Sequence, residues 1–310
     1  MREVAIIEAP SVLGLRPSGS RTSRRRCSKP VCRTTPGWCA PAGSTHRRTT
    51  HGGTRHRDPR SRRHRAVLRQ AGRRGRRRAR RRPLPLVLGG DCTVLLGNLL
   101  AVRRRGRYGL LFLDGHTDFY QPSAEPTGEA ASMELALATG RGPRLLTDLE
   151  GRGPLLRDED VVAFGFRDAA ESREAGMQPL PPRLHAIDLD GVRAAGAATA
   201  AREAVGRLAH DDRAGFWVHL DVDVLDDAVM PAVDYRLPGG LTWQELESVL
   251  CTALADERAV GLDVTIFNPR LDPEGAAAAR LTACLHRGLS ARTGHPGRRA
   301  GPLGRADDGR

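Results

Sequence analysis

The chain has 310 residues, a formal net charge of +14 and 4% aromatic residues. That length can bury a large core, as one big α/β domain or two smaller ones, and scarce aromatics beside plentiful Ala, Gly, Leu and Val suit a parallel sheet. Nothing approaches 18 consecutive apolar residues, the start has no long apolar run, and six scattered cysteines make no disulfide framework, so membrane-spanning and disulfide-stapled classes drop out and a soluble cytoplasmic protein is the default reading.

The charge is unevenly spread. Residues 21–82 hold 23 of the 50 Lys+Arg and a single acid, Asp58, leaving 27 bases against 35 acids elsewhere, so the rest of the chain is mildly acidic. In chain order, residues 3–8 read as a first strand ended by Pro10 and Gly14, and residues 1–19 are assigned to it. Residues 20–82 show neither helical nor alternating apolar periodicity; Arg, Ser, Thr, Gly, Pro and His dominate, a composition that cannot offset chain entropy by burial and predicts disorder. A main domain, residues 83–288, then opens with an apolar strand at 84–88, the turn Gly89-Gly90-Asp91-Cys92-Thr93, and a helix over 94–103 capped by Thr93. Residues 108–113 form the next strand. A helix is expected over 130–139, strands over 161–166 and 184–187, and one Ala-rich helix over 192–208. Residues 215–220 make a strand, and Thr242 with Glu245 forms a capping box for a helix reaching about residue 254. A strand over 260–266 and a helix over 272–287 complete the domain, with residues 289–310 a loose tail. Strands alternating with helices imply a parallel sheet with its site at the carboxyl edge.

Two stretches carry the chemistry. Residues 110–118 read Leu-Leu-Phe-Leu-Asp-Gly-His-Thr-Asp, an apolar strand ending in Asp114, His116 and Asp118 at two-residue steps; residues 216–223 read Phe-Trp-Val-His-Leu-Asp-Val-Asp and present Asp221 and Asp223 the same way. In extended chain such positions share a side. A lone acid at a strand end is commonly a turn former or helix cap. Two such tips together would repel one another unless cations neutralise them, and five hard or borderline donors suit a pair of divalent ions holding a water. His219, Cys251, Cys284 and His286 read as packing residues.

Together with Gly89-Gly90-Asp91, Leu225-Asp226, Pro238-Gly239-Gly240-Leu241 and Asp263 through Asn268-Pro269, these motifs resemble the ureohydrolase family, which includes arginase, agmatinase and formimidoylglutamase. The resemblance covers the first strand and residues 83–288. It implies a three-layer α/β/α sandwich around a mostly parallel sheet, two Mn²⁺ ions, hydrolysis of a guanidinium or amidine carbon–nitrogen bond by a metal-bridging hydroxide, a small-molecule substrate, and a homo-oligomer. By position, Asp114 and Asp221 would bridge the metals, Asp118 would complete one site, and His116 with Asp223 the other. Asp118 would also move the proton from the attacking water to the leaving amine. Arg167, Asp168 and Glu171 resemble the family's substrate loop.

Three departures matter. Cys92 stands where the family has His; as a thiolate ligand it would shift preference from Mn²⁺ towards Zn²⁺ or Fe²⁺, and the alternative is a buried structural thiol beside a weakened first site. Ala130-Ala131-Ser132 aligns where arginases place a proton-shuttling His, leaving Glu129 as the nearby candidate for that role. Ile266 aligns with the Glu expected to meet the substrate's guanidinium, and an apolar side chain cannot pair a cation. The expectation is therefore a family hydrolase acting on a guanidino, amidine or amide substrate other than arginine; a pseudoenzyme is the alternative.

Residues 20–82 admit three readings. One is a nucleic-acid-binding arm, although Trp38 alone offers base stacking. Another is a zinc module from Cys27, Cys32, Cys39, His46 and His51, whose spacing fits no tight pattern. The third is a stretch read out of frame in a GC-rich gene, since Lys29 is the sole lysine and the helices and strand expected there are missing. The third is preferred, and nucleic acid is the weaker partner.

Overall fold

Short runs dominated by Leu, Val, Ile, Phe and Ala supply the strands: β1 (Val4–Ala9), β2 (Leu84–Gly89), β3 (Gly109–Leu113), β4 (Val161–Phe164), β5 (His185–Ile187), β6 (Phe216–Asp221) and β7 (Ala259–Thr265). The computed structural model describes residues 3–11 and 83–292, apart from 126 and 211; the expectations for residues 12–82, and for the tail beyond 292, lie outside the described residues, whereas residues 289–291, expected in the tail, continue the last helix. The seven strands form one sheet in the order β1-β2-β7-β6-β3-β4-β5, with every pair parallel.

Helices cover both faces, giving the three layers. On one side α1 (Val94–Arg103), α2 (Glu134–Ala138) and α3 (Arg144–Thr147) pack with Val87, Leu110, Phe112, Val161, Ala163 and Trp217. On the other, α6 (Ala197–Leu208), α7 (Trp243–Ala255) and α8 (Ala276–Ala291) pack with Leu86, Leu111, Leu113, Val218, Leu220 and Leu262. Successive residues of β3 thus serve opposite layers, as the strand period requires. Two shorter helices, α4 (Ala169–Glu174) and α5 (Leu189–Ala195), follow β4 and β5.

Several element bounds differ from expectation for identifiable reasons. The helix expected over 130–139 begins as a 3₁₀ turn at Ala131–Met133, and α2 starts only at Glu134. The amides of Leu135 and Ala136 donate to the Asp118 carbonyl, so the start of α2 is docked on the loop that follows β3. The helix expected over 192–208 is two, broken at Gly196, whose φ of 79° lies in the left-handed region that glycine tolerates. The last helix starts at Ala276 rather than Asp272; the Asp272 carboxylate instead accepts from the amides of Ala277 and Ala278 at 3.2 and 2.9 Å. At α1 the Thr93 side chain makes no cap bond to the first turn; the Asp91 carboxylate accepts from the amide of Thr93 itself at 3.0 Å, just before the helix.

The chain runs from β2 to β3 across the positions later filled by β7 and β6. Ligands in open α/β sheets collect at the carboxyl ends beside such a reversal. Because β3 and β6 are neighbours, with Leu113 paired to Leu220, their carboxyl tips lie side by side.

Candidate metal centre

The two acidic strand tips meet. His116 Nδ1 lies 3.0 Å from Asp223 Oδ2 and 3.7 Å from Asp114 Oδ1. The Gly115 amide donates to Asp223 Oδ1 at 3.0 Å, so backbone of one tip holds a carboxylate of the other. Gly115 permits that approach: a Cβ there would come within 2.8 Å of the Asp223 carbonyl oxygen and 2.7 Å of Arg167 Nη1. Within each tip a carboxylate fixes the next turn. Asp114 Oδ1 accepts from the His116 amide at 2.7 Å, and Asp221 Oδ1 from the Asp223 amide at 2.8 Å. Asp118 closes the first tip with φ of 44°, an uncommon backbone for a non-glycine residue.

Cys92 joins from the turn after β2, donating its thiol to Asp221 Oδ2 at 2.8 Å. Two residues not foreseen as ligands lie beside this group. Glu134 enters from the first turn of α2, and His219 from the interior of β6; both are fully buried. Among the described residues, four sets of side chains bring ligand atoms within 4.8 Å of one another: Asp114, His116 and Asp223; Asp114, Asp118 and Glu134; Asp114, His219 and Asp221; and Cys92, Glu134 and His219. Their chemistry fits divalent cations, chiefly oxygen donors with imidazole and one sulfur. Asp114 Oδ2, both Glu134 oxygens and His219 Nε2 are buried without a hydrogen-bond partner, and buried polar atoms ordinarily have one.

The electrostatics follow from crowding. Burial, then the neighbouring Asp223, lifts Asp114 to about 6, and burial lifts Glu134 to about 8 against the pull of His219. Burial and adjacent carboxylates also push Asp118, Asp221 and the Cys92 thiol well above their ordinary values. The His116–Asp223 pair goes the other way. Burial opposes both charges, but each partner stabilises the other, so His116 is raised and Asp223 held low.

The other expected site residues sit around the rim. Glu129 Oε2 accepts from the Tyr235 hydroxyl at 2.7 Å and belongs to none of the four sets. Asp168 Oδ2 accepts from the Thr117 amide at 2.9 Å and from the Thr117 and Ser172 hydroxyls at 2.8 Å, which fixes the turn between His116 and Asp118. Arg167 directs its guanidinium at backbone carbonyls: Asp223 at 2.9 Å, Leu225 at 3.1 Å, Leu237 at 2.5 Å and Pro238 at 3.0 Å. The motifs Leu225-Asp226 and Gly239-Gly240-Leu241 are likewise joined. Leu225 and Leu241 form a parallel bridge, and Asp226 Oδ2 accepts from the Gly239 amide at 2.6 Å. Residues 226–240 are therefore a loop tied at its base beside the centre.

Fold and cluster together define a class: a parallel α/β/α sandwich with a carboxylate–imidazole cluster at the carboxyl edge of its sheet. A model of the arginase family matches residues 40–290, a span that begins inside the basic block. An arginase of Staphylococcus aureus (strain MRSA252) is 26% identical over 202 residues, covering 65% of this chain and 66% of that protein. An N(omega)-hydroxy-L-arginine amidinohydrolase of Streptomyces lavendulae is 33% identical over 202 residues, 63% of this chain and 65% of that one. The match thus spans just under two thirds of these relatives' length. Among solved structures, an arginase from Bacillus cereus superposes with a TM-score of 0.63 at 25% identity, over 73% of this chain and 77% of that one. The chain belongs to the arginase family.

Proposed function

We propose that this chain is a metal-dependent hydrolase that cleaves a non-peptide C–N bond in a guanidino, amidine or amide substrate other than arginine. The observation that carries the reading is the meeting of the two strand tips, His116 against Asp223 at 3.0 Å with Asp114 between the neighbouring sets. Asp114, His116, Asp118, Asp221 and Asp223 would hold two divalent cations, Mn²⁺ by the predominance of oxygen donors. Bound there, such ions supply Lewis-acid activation of water and of the substrate's C–N carbon.

The chain's own groups do the remaining work. Asp118, buried beside Asp114 and Glu134, would take a proton at its carboxylate and return it to the leaving nitrogen. Glu129, hydrogen-bonded to Tyr235, stands on the rim where a second proton carrier or substrate contact is needed. Arg167 and Asp168 hold the two tips and the loop in place through the bonds described above. Ile266 is buried and apolar at the position from which a family carboxylate would meet a guanidinium. Leaving that charge without its partner weakens binding by ~3–5 kcal/mol. Family membership further favours a cytoplasmic homo-oligomer.

A screen of the purified chain for ammonia or urea release from guanidino, amidine and primary-amide compounds, with Mn²⁺ and with chelator, tests the reading. We expect turnover in one class that disappears on chelation, with arginine lower by at least roughly two orders of magnitude. Arginine as the best substrate would overturn the role given to Ile266. Metal binding without turnover in any class would favour a catalytically silent member of the family, for which Ala131 and Ile266 are the warrant.

A further inference from the structure

We propose that a hollow between α7 and α8, outside the carboxylate–imidazole cluster, is a second ligand pocket that takes a small monocarboxylate with a flat apolar body. Trp243, Arg280, Ala283 and Arg287 line it, its volume is about 350 Å³, and it shares no residue with the four ligand sets. The inference does not rest on the hydrolase reading.

The hollow follows from side-chain spacing on two packed helices. Arg280, Ala283 and Arg287 stand at i, i+3 and i+7 on α8 and share one face; Trp243 and Glu247 stand at i and i+4 on α7 and meet them. Further along, the helices close up, and a Cβ on Gly288 would fall 3.0 Å from Leu250 Cβ. Between the two arginines the α8 side chain is only the methyl group of Ala283, and the space a longer residue would fill stays open. The floor is apolar, with Trp243 buried. Trp243 lies two residues after Leu241, whose bridge to Leu225 closes the 226–240 loop, so the pocket sits where that loop passes into α7.

The charges define the head group. The Arg280 guanidinium lies 5.6 Å from the centre of the Trp243 ring and, among the described residues, meets no carboxylate. Stacking restrains the guanidinium plane and leaves its N–H groups for an acceptor. Arg287 Nε lies 2.6 Å from Glu247 Oε2. Two guanidiniums against one carboxylate leave one positive charge to balance. A monocarboxylate balances it and accepts from a guanidinium fork in bidentate fashion, whereas a dianion would also meet the Glu247 charge. Trp243 and Ala283 then pack against a flat hydrocarbon body, and the volume is at the small end of ligand pockets. The competing account is a pair of solvated arginines over a water-filled dent. It predicts no preference among anions and no response to filling the dent.

The test is a ligand-observed NMR titration of the full chain, with Mn²⁺ replaced by diamagnetic Mg²⁺ and again with chelator. Its probes are benzoate, the neutral benzyl alcohol and inorganic phosphate. Benzoate should bind with a Kd of roughly 1 mM in both conditions, and benzyl alcohol and phosphate at least about 10-fold more weakly. Arg280→Gln should weaken benzoate by about 10- to 100-fold. Ala283→Leu, which fills the hollow, should abolish its binding, with circular dichroism reporting the fold of both variants. Four results would each overturn the inference: no benzoate binding at about 10 mM, binding that disappears with chelator, phosphate as tight as benzoate, or benzoate affinity unchanged in either variant. None of these outcomes bears on the hydrolase reading.

Discussion

Ile266 carries a β-branched side chain at φ of 67°, with its amide donating to the Gly90 carbonyl at 2.8 Å. That backbone costs an L-residue roughly 1–2 kcal/mol, and burial of the side chain among apolar neighbours offsets it. Ile266→Glu would place an unpaired carboxylate there and should destabilise the protein by ~3 kcal/mol. Arginine should then raise the melting temperature of the variant but not of the parent, measured by differential scanning fluorimetry. The residues legible from sequence were those on regular steps. Asp114, His116, Asp118, Asp221 and Asp223 follow a period of two at strand tips, and the fold brings them together. Glu134 and His219 had no such period. One comes from the start of a buried helix and the other from the middle of a strand, and only the packing of α2 against β6 makes them neighbours. The available signal is a histidine inside an otherwise apolar strand, a position that pattern alone assigns to packing.

At the scale of elements, the strands were legible because apolar runs ended in turn residues, and α1 fell on the expected bounds. Helices misread were those whose ends are set by distant groups. The carbonyl of Asp118 claims the first amides of α2, and no local pattern announces that. The capping box at α7 was local and is present in full: Thr242 Oγ1 accepts from the Glu245 amide at 3.2 Å, and Glu245 Oε2 accepts from the Thr242 amide at 2.7 Å. Thr242→Ala should cost about 1 kcal/mol, lowering the thermal midpoint by about 2–4 °C. In β7, Gly261 lies directly under the Trp217 ring, where a Cβ would fall 2.0 Å from a ring carbon. The indole that leans on it donates to Asp263, whose carboxylate also holds His219 Nδ1, so the smallest residue in the strand helps to aim His219.

For the whole molecule, the buried cluster ties stability to pH and to cations. Glu134 rises from an ordinary 4.5 to about 8, and Asp114 from 3.8 to about 6, while Asp118, Asp221, His116 and His219 also rise. Each of these groups binds its proton more tightly in the folded chain than in the unfolded one. Their stabilisation is complete below the unfolded values and is lost as pH climbs through the folded ones. Asp223, held low, acts oppositely but only in strong acid. With chelator present, the thermal midpoint should therefore fall from about pH 5 to about pH 8. A divalent ion should remove most of that slope, because it replaces the missing protons. A flat chelated profile in fluorimetry would contradict this account of the cluster. Among the described residues no helix is long and apolar enough to cross a membrane.

The tethered loop of residues 226–240 has its own corollary. Arg167 grips carbonyls on both of its flanks, Arg193 holds Gly239 at 2.8 Å, and the Leu225–Leu241 bridge locks the two ends together. Between those anchors Met230, Ala232 and Val233 are buried in the core and Asn268 bonds the Ala232 carbonyl and the Asp234 carboxylate at 2.7 Å, while Val229 and Tyr235 stand exposed. Changes at those exposed positions, as in an interchangeable tool head, can leave both strand tips where they are, so the rim can diversify across descendants of this scaffold while the cluster below it keeps its shape.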